Sequence, residues 1–227
     1  MAKMISPIRR HLVEILERQF NSMKKYFRDR LNSVSLNAPL KPFFAATKTE
    51  SSQLKSLLRK LAPVKSQLQL IRVGPDGDGG YLVPDDLVGI TACFSPGVST
   101  VSGFELECAA RGIDIYMADA SVESPPDSHP KFHFIKKFIG AVPQDEFITM
   151  KQWVASSQAD PSGDWLLQID IEGYEYEVFL NIPDDILRKF RSIVVEFHYM
   201  DYLFDAPYFM IVSKVFGRLL QNHACVH

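Results

Sequence analysis

The sequence predicts a doubly wound α/β fold, in which a mostly parallel sheet carries helices on both faces. Short apolar strands alternate with helices from about residue 63 onward, which is the pattern of such a sheet. A chain of 227 residues with 46% hydrophobic content is long enough for one core of this kind, preceded by an N-terminal appendage. Polar residues and glycines gather where the strands end, and open parallel sheets bind their ligands there.

Residues 1–62 are predicted to form a helical extension and a linker. Apolar residues recur at three- and four-residue spacing between His11 and Val34, which predicts an amphipathic helix of about six turns. The apolar stripe consists of Leu12, Leu16, Phe20, Met23, Phe27 and Leu31. Packing on the protein's own domain or on a second subunit is favoured over docking on a membrane, because the stripe is narrow and lacks Trp. Residues 35–51 mark a linker, and a short helix follows over 52–61.

The main domain is predicted to span residues 63–227. Its predicted elements are strand 90–94, helix 103–111, strand 113–117, strand 132–139, helix 150–156, strand 165–169, helix 174–180, strand 192–197 and helix 208–220. Five strands separated mostly by helices therefore make up the expected sheet.

The composition argues against several functional classes. Lys plus Arg number 25 and Asp plus Glu number 27, so the net charge of −2 gives no overall attraction to nucleic acid. The three cysteines are an odd number without metal-ligand spacing, which favours reduced thiols and a cytoplasmic protein. No apolar stretch approaches the length of a transmembrane helix. Neither a nucleic-acid partner nor a membrane span is expected.

The first and second strands end in residues that suit a nucleoside cofactor. Ser95, Pro96 and Gly97 form a turn in front of a helix that contains Glu105. Gly97 lets the backbone approach a ligand, and the amides at the start of the helix can face polar groups. Asp119 follows the second strand, where a carboxylate can accept hydrogen bonds from both hydroxyls of a ribose. A local capping role explains Asp119 equally well.

The fourth and fifth strands end in candidate acid and base residues. Asp170 and Glu172 lie at a strand-to-helix turn, where two carboxylates can orient a hydroxyl, accept its proton or hold a divalent ion. Asp170 is favoured as functional because it ends an apolar strand in the crevice. Stabilising the first helical turn is the alternative for Glu172, and for Glu175 it is the favoured interpretation. His198 is either a general base or a hydrogen-bonded structural residue.

Residues 71–84 are dense in Gly and Asp. They do not fit a calcium loop, because Gly80 stands where a third Asp or Asn is required and no Glu follows at the required distance. A turn or hairpin that closes over a ligand explains Gly79 and Gly80 better, with Tyr81 as a stacking platform. A solvent-exposed turn is the alternative. The histidines also lack the spacing of a zinc site, so no residue is assigned to a metal.

Together these features resemble the FkbM-type branch of the class I S-adenosylmethionine (SAM)-dependent methyltransferases. The resemblance rests above all on LLQIDIEGYEYEVF followed by IVVEFH, with support from the Gly-rich segment, FSPGVS and Asp119. It covers about residue 70 to the C-terminus. It implies a Rossmann-like sheet, SAM as the cofactor, and O-methylation of a hydroxyl on a sugar or another small-molecule acceptor.

The resemblance also implies roles for individual residues. Ser95, Pro96 and Gly97 would line the methionine and ribose side of the cofactor, and Asp119 would bind the ribose hydroxyls. Gly140 would border the adenine, and Asp170 would lie near the sulfonium and the acceptor. The candidate cofactor residues are Gly79, Gly80, Tyr81, Ser95, Pro96, Gly97, Glu105, Asp119, Gly140 and Asp170. The candidate catalytic residues are Asp170, Glu172 and His198.

The resemblance further implies a seven-stranded sheet. After helix 208–220 only QNHACVH follows, which can begin a sixth strand but leaves no residues for a seventh. The C-terminal strands are therefore expected to be incomplete.

Two other functions are weighed against methyl transfer. One is a non-catalytic module with the same fold that uses the N-terminal helix for assembly as a homo-oligomer. The other is a nicotinamide-dependent oxidoreductase, which is disfavoured because no GxGxxG follows the first strand.

Overall fold

The computed structural model describes residues 47–227 as an α/β unit around a five-stranded sheet. Its strands are β1 (Leu70–Val73), β2 (Tyr81–Pro84), β3 (Ile90–Pro96), β4 (Asp114–Ala118), β5 (Phe132–Ile135), β6 (Phe138–Gly140), β7 (Phe147–Thr149), β8 (Asp164–Ile169) and β9 (Phe190–Val195). Its helices are α1 (Ser51–Lys60), α2 (Gly103–Ala110), α3 (Met150–Ser156), α4 (Glu175–Asn181), α5 (Asp184–Leu187) and α6 (Ala206–Leu219), with a 3₁₀ helix at Met200–Phe204. The amphipathic helix predicted over 11–34 lies outside the described residues.

The main sheet has the strand order β5-β4-β3-β8-β9, and all neighbouring strands are parallel. From β3 the chain adds β4 and β5 toward one edge, and it later adds β8 and β9 toward the other. The order therefore reverses between β3 and β8, and this reversal opens a crevice at the carboxyl ends of these two strands. The predicted doubly wound α/β fold is confirmed.

Apolar side chains pack on both faces of the sheet. On β3, Phe94 belongs to the cluster on one face, whereas its neighbour Cys93 belongs to the cluster on the other. The Phe94 ring meets Trp153 of α3 edge-on, with 5.1 Å between the ring centroids. Helices α3, α4 and α6 cover this face, and α2 covers the opposite one through Phe104. Burial on both faces explains why the central strands are almost continuously apolar.

One predicted strand is split in the structure. The apolar pattern predicts a single strand over residues 132–139, but the chain leaves the main sheet after Ile135. The Lys137 amide donates to the Ile135 carbonyl over 2.9 Å, and this tight turn redirects the chain into β6. Strand β6 then pairs in parallel with β7, which the sequence does not predict, as a separate two-stranded sheet. Because apolar residues flank the turn on both sides, the sequence pattern does not show the break.

The other predicted elements of residues 63–227 agree with the structure to within two residues at each end. Helix α3 matches its predicted bounds because Thr149 and Gln152 form a capping box at its start. Helix α5 and the 3₁₀ helix are not predicted, since both are too short to produce a periodic pattern.

Residues 47–60 pack on the domain that follows them. Leu57 of α1 is buried in the same apolar cluster as Phe94. The Thr49 amide donates to the Phe204 carbonyl over 2.9 Å, and the Thr49 hydroxyl donates to the Leu203 carbonyl over 2.7 Å. Helix α1 therefore shares a core with the domain that is predicted to start at residue 63.

The chain after α6 contributes no strand to the main sheet. Residues 220–227 form a turn and irregular chain. Within residues 47–227, the main sheet therefore has neither a sixth nor a seventh strand. Strand β9 forms one edge of the sheet. Over the same part of the chain, no helix is both long enough and apolar enough to cross a membrane.

Candidate active site

The carboxyl ends of β3 and β8 meet at Gly97. This residue has a φ angle of +88°, which residues with a Cβ atom rarely adopt. A Cβ atom placed there would lie 1.7 Å from the main-chain oxygen of Asp170, the residue that follows β8. Only glycine permits this approach. Two strand ends that the sequence singled out separately are thereby brought into one site.

A cavity opens beside this contact. It is lined by Asp78, Gly79, Tyr81, Gly97, Val98, Ser99, Thr100, Val101, Phe104, Glu105, Gln168 and Asp170. Five of the candidate cofactor residues are among these: Gly79, Tyr81, Gly97, Glu105 and Asp170. They come from the β1–β2 hairpin, the turn after β3, helix α2 and the end of β8, so the fold gathers distant parts of the sequence around one opening.

A chain of polar side chains borders the cavity. Ser95 Oγ lies 2.5 Å from Glu105 Oε1 and 2.6 Å from Gln168 Oε1, and Gln168 Nε2 donates to the Tyr81 hydroxyl over 3.4 Å. Burial raises the pKa of Glu105, because desolvation disfavours the charged carboxylate. Since a hydroxyl has a single proton, both short contacts of Ser95 are hydrogen bonds when Glu105 is protonated and donates one of them.

The β1–β2 hairpin confirms the hairpin predicted for the Gly-rich segment. Arg72 holds its loop in place, because its guanidinium donates to the carbonyls of Pro75 and Gly77, each over 2.8 Å. Gly80 is packed against the same loop, since a Cβ atom there would lie 1.9 Å from the Pro75 oxygen. Gly79 lines the cavity, whereas Gly80 supports the turn from behind.

Asp119 directly follows β4 and is 4% exposed. Its Oδ2 accepts a hydrogen bond from the Ser99 amide over 2.9 Å. Its Oδ1 accepts from the amide and the hydroxyl of Ser121, over 2.8 Å and 2.6 Å. The carboxylate thus caps its own loop and anchors the turn that starts at Gly97. Its Oδ2 accepts only one of these bonds and keeps acceptor capacity.

Besides Gly80 and Asp119, three more candidate cofactor residues lie outside the cavity lining. Ser95 and Pro96 are buried at the end of β3, behind Gly97. Gly140 is the last residue of β6, outside the main sheet, where a Cβ atom would lie 2.9 Å from the Phe147 ring. Their predicted contacts with a cofactor stay predictions.

The candidate catalytic residues meet around one imidazole ring. His198 Nε2 lies 3.7 Å from Asp170 Oδ1 and 3.6 Å from Glu172 Oε2. On the other side of the ring, His198 Nδ1 lies 3.1 Å from Glu175 Oε1. The Glu172 side chain is 85% exposed and stands at the outer rim of the group. Two parallel strands, β8 and β9, end next to each other and so bring these side chains together.

The sequence does not predict where the Glu175 side chain lies. The sequence favours a first-turn residue that stabilises its helix, yet the side chain is 0% exposed and orients His198. Its Oε1 also accepts hydrogen bonds from the amides of Ile171 and Gly173, over 3.0 Å and 3.1 Å. Gln168 was missed as well. Its signal was a polar residue inside the otherwise apolar strand β8, WLLQI.

The carboxylates around His198 perturb one another. Burial, followed by the nearby charge of Glu196, raises the pKa of Asp170 to about 6, and His198 opposes this only in part. Partial burial lowers the pKa of His198, but the carboxylates of Glu175 and Asp170 outweigh it, so the pKa lies above its ordinary value. A carboxyl group and an imidazole whose pKa values are both raised by their surroundings can exchange protons with a bound hydroxyl.

The comparison with family models connects this site to a known domain. Residues 122–220 match the model described as the Methyltransferase FkbM domain. The matched segment contains Asp170, Glu172, Glu175 and His198, and the resemblance stated from the sequence is confirmed over it. No curated protein and no solved structure matches this chain.

Proposed function

We propose, from the match of residues 122–220 to the FkbM methyltransferase domain, that this protein is a SAM-dependent methyltransferase acting on a hydroxyl group of a sugar or another small molecule. The observation that carries the proposal is the approach of Gly97 to the Asp170 main chain. It sets the cavity beside the group of Asp170, Glu172 and His198. A cofactor in the cavity and an acceptor at that group would then be neighbours, as methyl transfer requires.

The cavity suits a cofactor that carries positive charge and a ribose. When bound, SAM supplies a methyl group made electrophilic by its sulfonium. Asp170 lines the cavity and would face the positive charge of the sulfonium. Glu105, which is protonated in its contact with Ser95, would act on the methionine part as a hydrogen-bond partner and not as a charge. The Gly97 turn would contact the ribose side. Asp119 supports that side through Ser99, and the free acceptor capacity of its Oδ2 is available to a hydroxyl.

The residues around His198 are arranged to prepare the acceptor. Asp170 and His198 are proposed to bind the acceptor hydroxyl and to receive its proton as the oxygen becomes methylated. Glu175 fixes the orientation of the imidazole from behind. Glu172, at the exposed rim, would contact the outer part of the acceptor. Transfer to an aligned oxygen depends more on positioning than on a strong base, so the rigid contact of the strand ends is itself useful.

The same proposal includes the location of the protein in the cell and its self-association. Cys93 and Cys108 are buried free thiols, which fits the cytoplasmic location predicted from the cysteine pattern. Self-association through the predicted N-terminal helix is proposed with it and can be measured by light scattering with residues 1–34 deleted.

The first test is calorimetric titration of the full chain with SAM and with S-adenosylhomocysteine. The variant Asp119→Ala is expected to bind about ten- to a hundredfold more weakly, because charge-assisted hydrogen bonds of this kind contribute roughly 1.5 to 3 kcal/mol. Asp114→Ala is the matched control, since Asp114 begins β4 whereas Asp119 follows its end. Methyl transfer is then measured with labelled SAM over a panel of saccharides by mass spectrometry.

Three results would count against the proposal. If the parent protein does not bind SAM, or if Asp119→Ala binds it equally well, the cofactor assignment is wrong. If SAM binds but no saccharide of the panel is methylated, the sugar acceptor is wrong, and a lack of transfer to other small-molecule hydroxyls as well would favour the non-catalytic module of the same fold.

A further inference from the structure

The group around His198 contains buried carboxylate oxygens that lack a donor. Within residues 47–227, neither Asp170 Oδ1 nor Glu175 Oε2 has a hydrogen-bond partner, although both atoms are buried. The Glu175 side chain is 0% exposed. Buried acceptors in native proteins are almost always paired, because an unpaired one loses its hydration without compensation. These two atoms therefore indicate that a donor or a cation belongs here.

The orientation of His198 points to the kind of ligand. Glu175 Oε1 accepts two backbone hydrogen bonds, and it is also the oxygen 3.1 Å from His198 Nδ1. A carboxylate oxygen in that position accepts a hydrogen bond, so Nδ1 is the ring nitrogen that carries a proton and donates it into this bond. The lone pair of a neutral imidazole then lies on Nε2, facing Asp170 and Glu172 at 3.7 Å and 3.6 Å. The Nε2 lone pair repels each of these two carboxylate oxygens unless a positive charge lies between them.

We propose that Asp170, Glu175 and His198 form a binding site for a divalent metal cation. One ligand atom of each residue can be chosen so that all three lie within 4.8 Å of one another. Asp170 Oδ1 and His198 Nε2 are assigned as direct ligands. Their separation of 3.7 Å fits one ion, because two ligand atoms about 2.1 Å from the same ion lie at most about 4.2 Å apart. Sequence spacing alone had assigned no metal ligand to this chain.

Glu175 completes the site from behind the imidazole. Metal-bound histidines commonly donate their second ring nitrogen to a carboxylate, which fixes the ring and strengthens the metal–nitrogen bond. The 3.1 Å contact between His198 Nδ1 and Glu175 Oε1 has this arrangement. Glu175 Oε2, which has no hydrogen-bond partner, is a further oxygen that a bound cation could contact. The Glu172 carboxylate is exposed on the solvent side, 3.6 Å from His198 Nε2.

The charge of the group favours a divalent cation over a proton. Asp170, Glu172 and Glu175 surround a single imidazole, and a protonated His198 balances only one of the three carboxylates. A divalent ion contributes two positive charges at the point where the acceptors converge. Carboxylate oxygens combined with one imidazole nitrogen suit Mn²⁺ or Zn²⁺, and no thiolate lies in the group to favour softer metals.

Metal binding does not depend on the proposed methyl transfer, but its catalytic use rests on that proposed function. A cation held at Asp170 and His198 lies beside the cavity, where it can polarise an acceptor hydroxyl. Because the cation then occupies the Nε2 lone pair, the exposed Glu172 carboxylate would receive the hydroxyl proton in place of His198. The test therefore measures metal binding by itself, with no cofactor or acceptor present.

The experiment is a titration of chelator-treated full-length protein with Mn²⁺, followed by the electron paramagnetic resonance signal of the free ion. We expect one Mn²⁺ per chain, and we expect Asp170→Asn and His198→Gln to weaken binding at least about tenfold. Asp164→Asn is the matched control, because Asp164 begins β8 whereas Asp170 follows its end. Mn²⁺ should raise the melting temperature of the parent and of this control, and not that of the other two variants.

The proposal is overturned if the parent binds no Mn²⁺, or if Asp170→Asn and His198→Gln bind it as the parent does. Melting curves of the metal-free variants verify that both remain folded. Calorimetry with SAM in the presence of a chelator separates the two proposals. Binding of SAM without binding of Mn²⁺ contradicts the metal site alone, and the converse contradicts the cofactor assignment alone.

Discussion

Replacing Gly97 with alanine tests the contact on which the site depends. A left-handed backbone costs a residue with a Cβ atom roughly 1–2 kcal/mol, and Gly97 has a φ of +88°. The added atom would also lie 1.7 Å from the Asp170 oxygen and 2.8 Å from its carbonyl carbon, which are backbone atoms that no rotamer change can move. Overpacking of this kind costs a further 1–3 kcal/mol or so. We expect a total loss of roughly 2–5 kcal/mol in the free energy of unfolding.

Two other glycines separate these contributions. Gly112 has a φ of +91° but open space where a methyl group would stand, so Gly112→Ala carries the backbone cost without the clash. Gly217 lies inside α6 with nothing within 4 Å, so Gly217→Ala should stabilise the helix by about 0.5–1 kcal/mol. In a domain of this size each 1 kcal/mol shifts the melting temperature by about 2–4 °C. Gly112→Ala should therefore lower it by roughly 2–8 °C, and Gly97→Ala by clearly more.

The assay is thermal unfolding by circular dichroism or calorimetry, with SAM titration of each folded variant. Gly97→Ala should also weaken SAM binding, whereas Gly112→Ala and Gly217→Ala should leave it unchanged. Equal melting temperatures for Gly97→Ala and Gly112→Ala would refute the close approach of the two strand ends.

Two further substitutions probe a buried carboxyl group and a partly buried arginine. Burial raises the pKa of Glu105, so the folded protein holds this proton more tightly than the unfolded chain and loses stability as pH rises through that range. Glu105→Gln should therefore gain stability relative to the parent as pH rises above the ordinary pKa of a glutamic acid, as followed by urea unfolding. Arg218 donates to the carbonyls of Phe179 and Ile182 and to the Asp184 carboxylate. Arg218→Lys cannot make all of these bonds and should lower stability by about 2 kcal/mol, seen as a fall in melting temperature.

Each of these two predictions has a control variant, which should change stability in the opposite direction or leave it unchanged. Although slight burial acts to raise it, the pKa of Glu107 is lowered by hydrogen bonds from the Gly74 amide and from Arg111. Glu107→Gln should therefore lose stability relative to the parent as pH rises, the reverse of Glu105→Gln. A parallel pH response of the two variants would contradict the assignment for Glu105. Arg188→Lys, at the exposed end of α5, should leave the melting temperature unchanged.

The sheet was predictable because its three central strands, β3, β4 and β8, are buried on both faces. A continuous apolar run such as the one around Phe94 is stable only when both faces of the strand are buried. In the sequence, a glycine or an acidic residue follows such runs. The same logic placed Gly97 and Asp170 at strand ends, and reversal of strand order between β3 and β8 then made them neighbours. Periodicity also placed helix α6, whose buried residues recur along one face.

What the sequence could not show depends on side-chain direction and on short elements. Glu175 opens a helix, and an acidic residue there normally faces solvent and stabilises the helix dipole. Its burial follows from the loop of Ile171 to Gly173 folding back over it, which no local pattern encodes. The turn after Ile135 and strand β7 were missed for a similar reason, because three-residue strands carry no measurable period.

The approach of Gly97 to Asp170 also has a thermodynamic consequence. Because the two backbones are in contact, we expect a ligand that displaces one of them to displace the other, which would couple occupancy of the cavity to occupancy of the site near His198. Whatever factor the first ligand applies to the affinity for the second, the second applies to the first. Since main-chain atoms make the contact, we expect the coupling between the two sites to persist when the side chains lining the cavity are exchanged. It should be lost only when Gly97 is replaced.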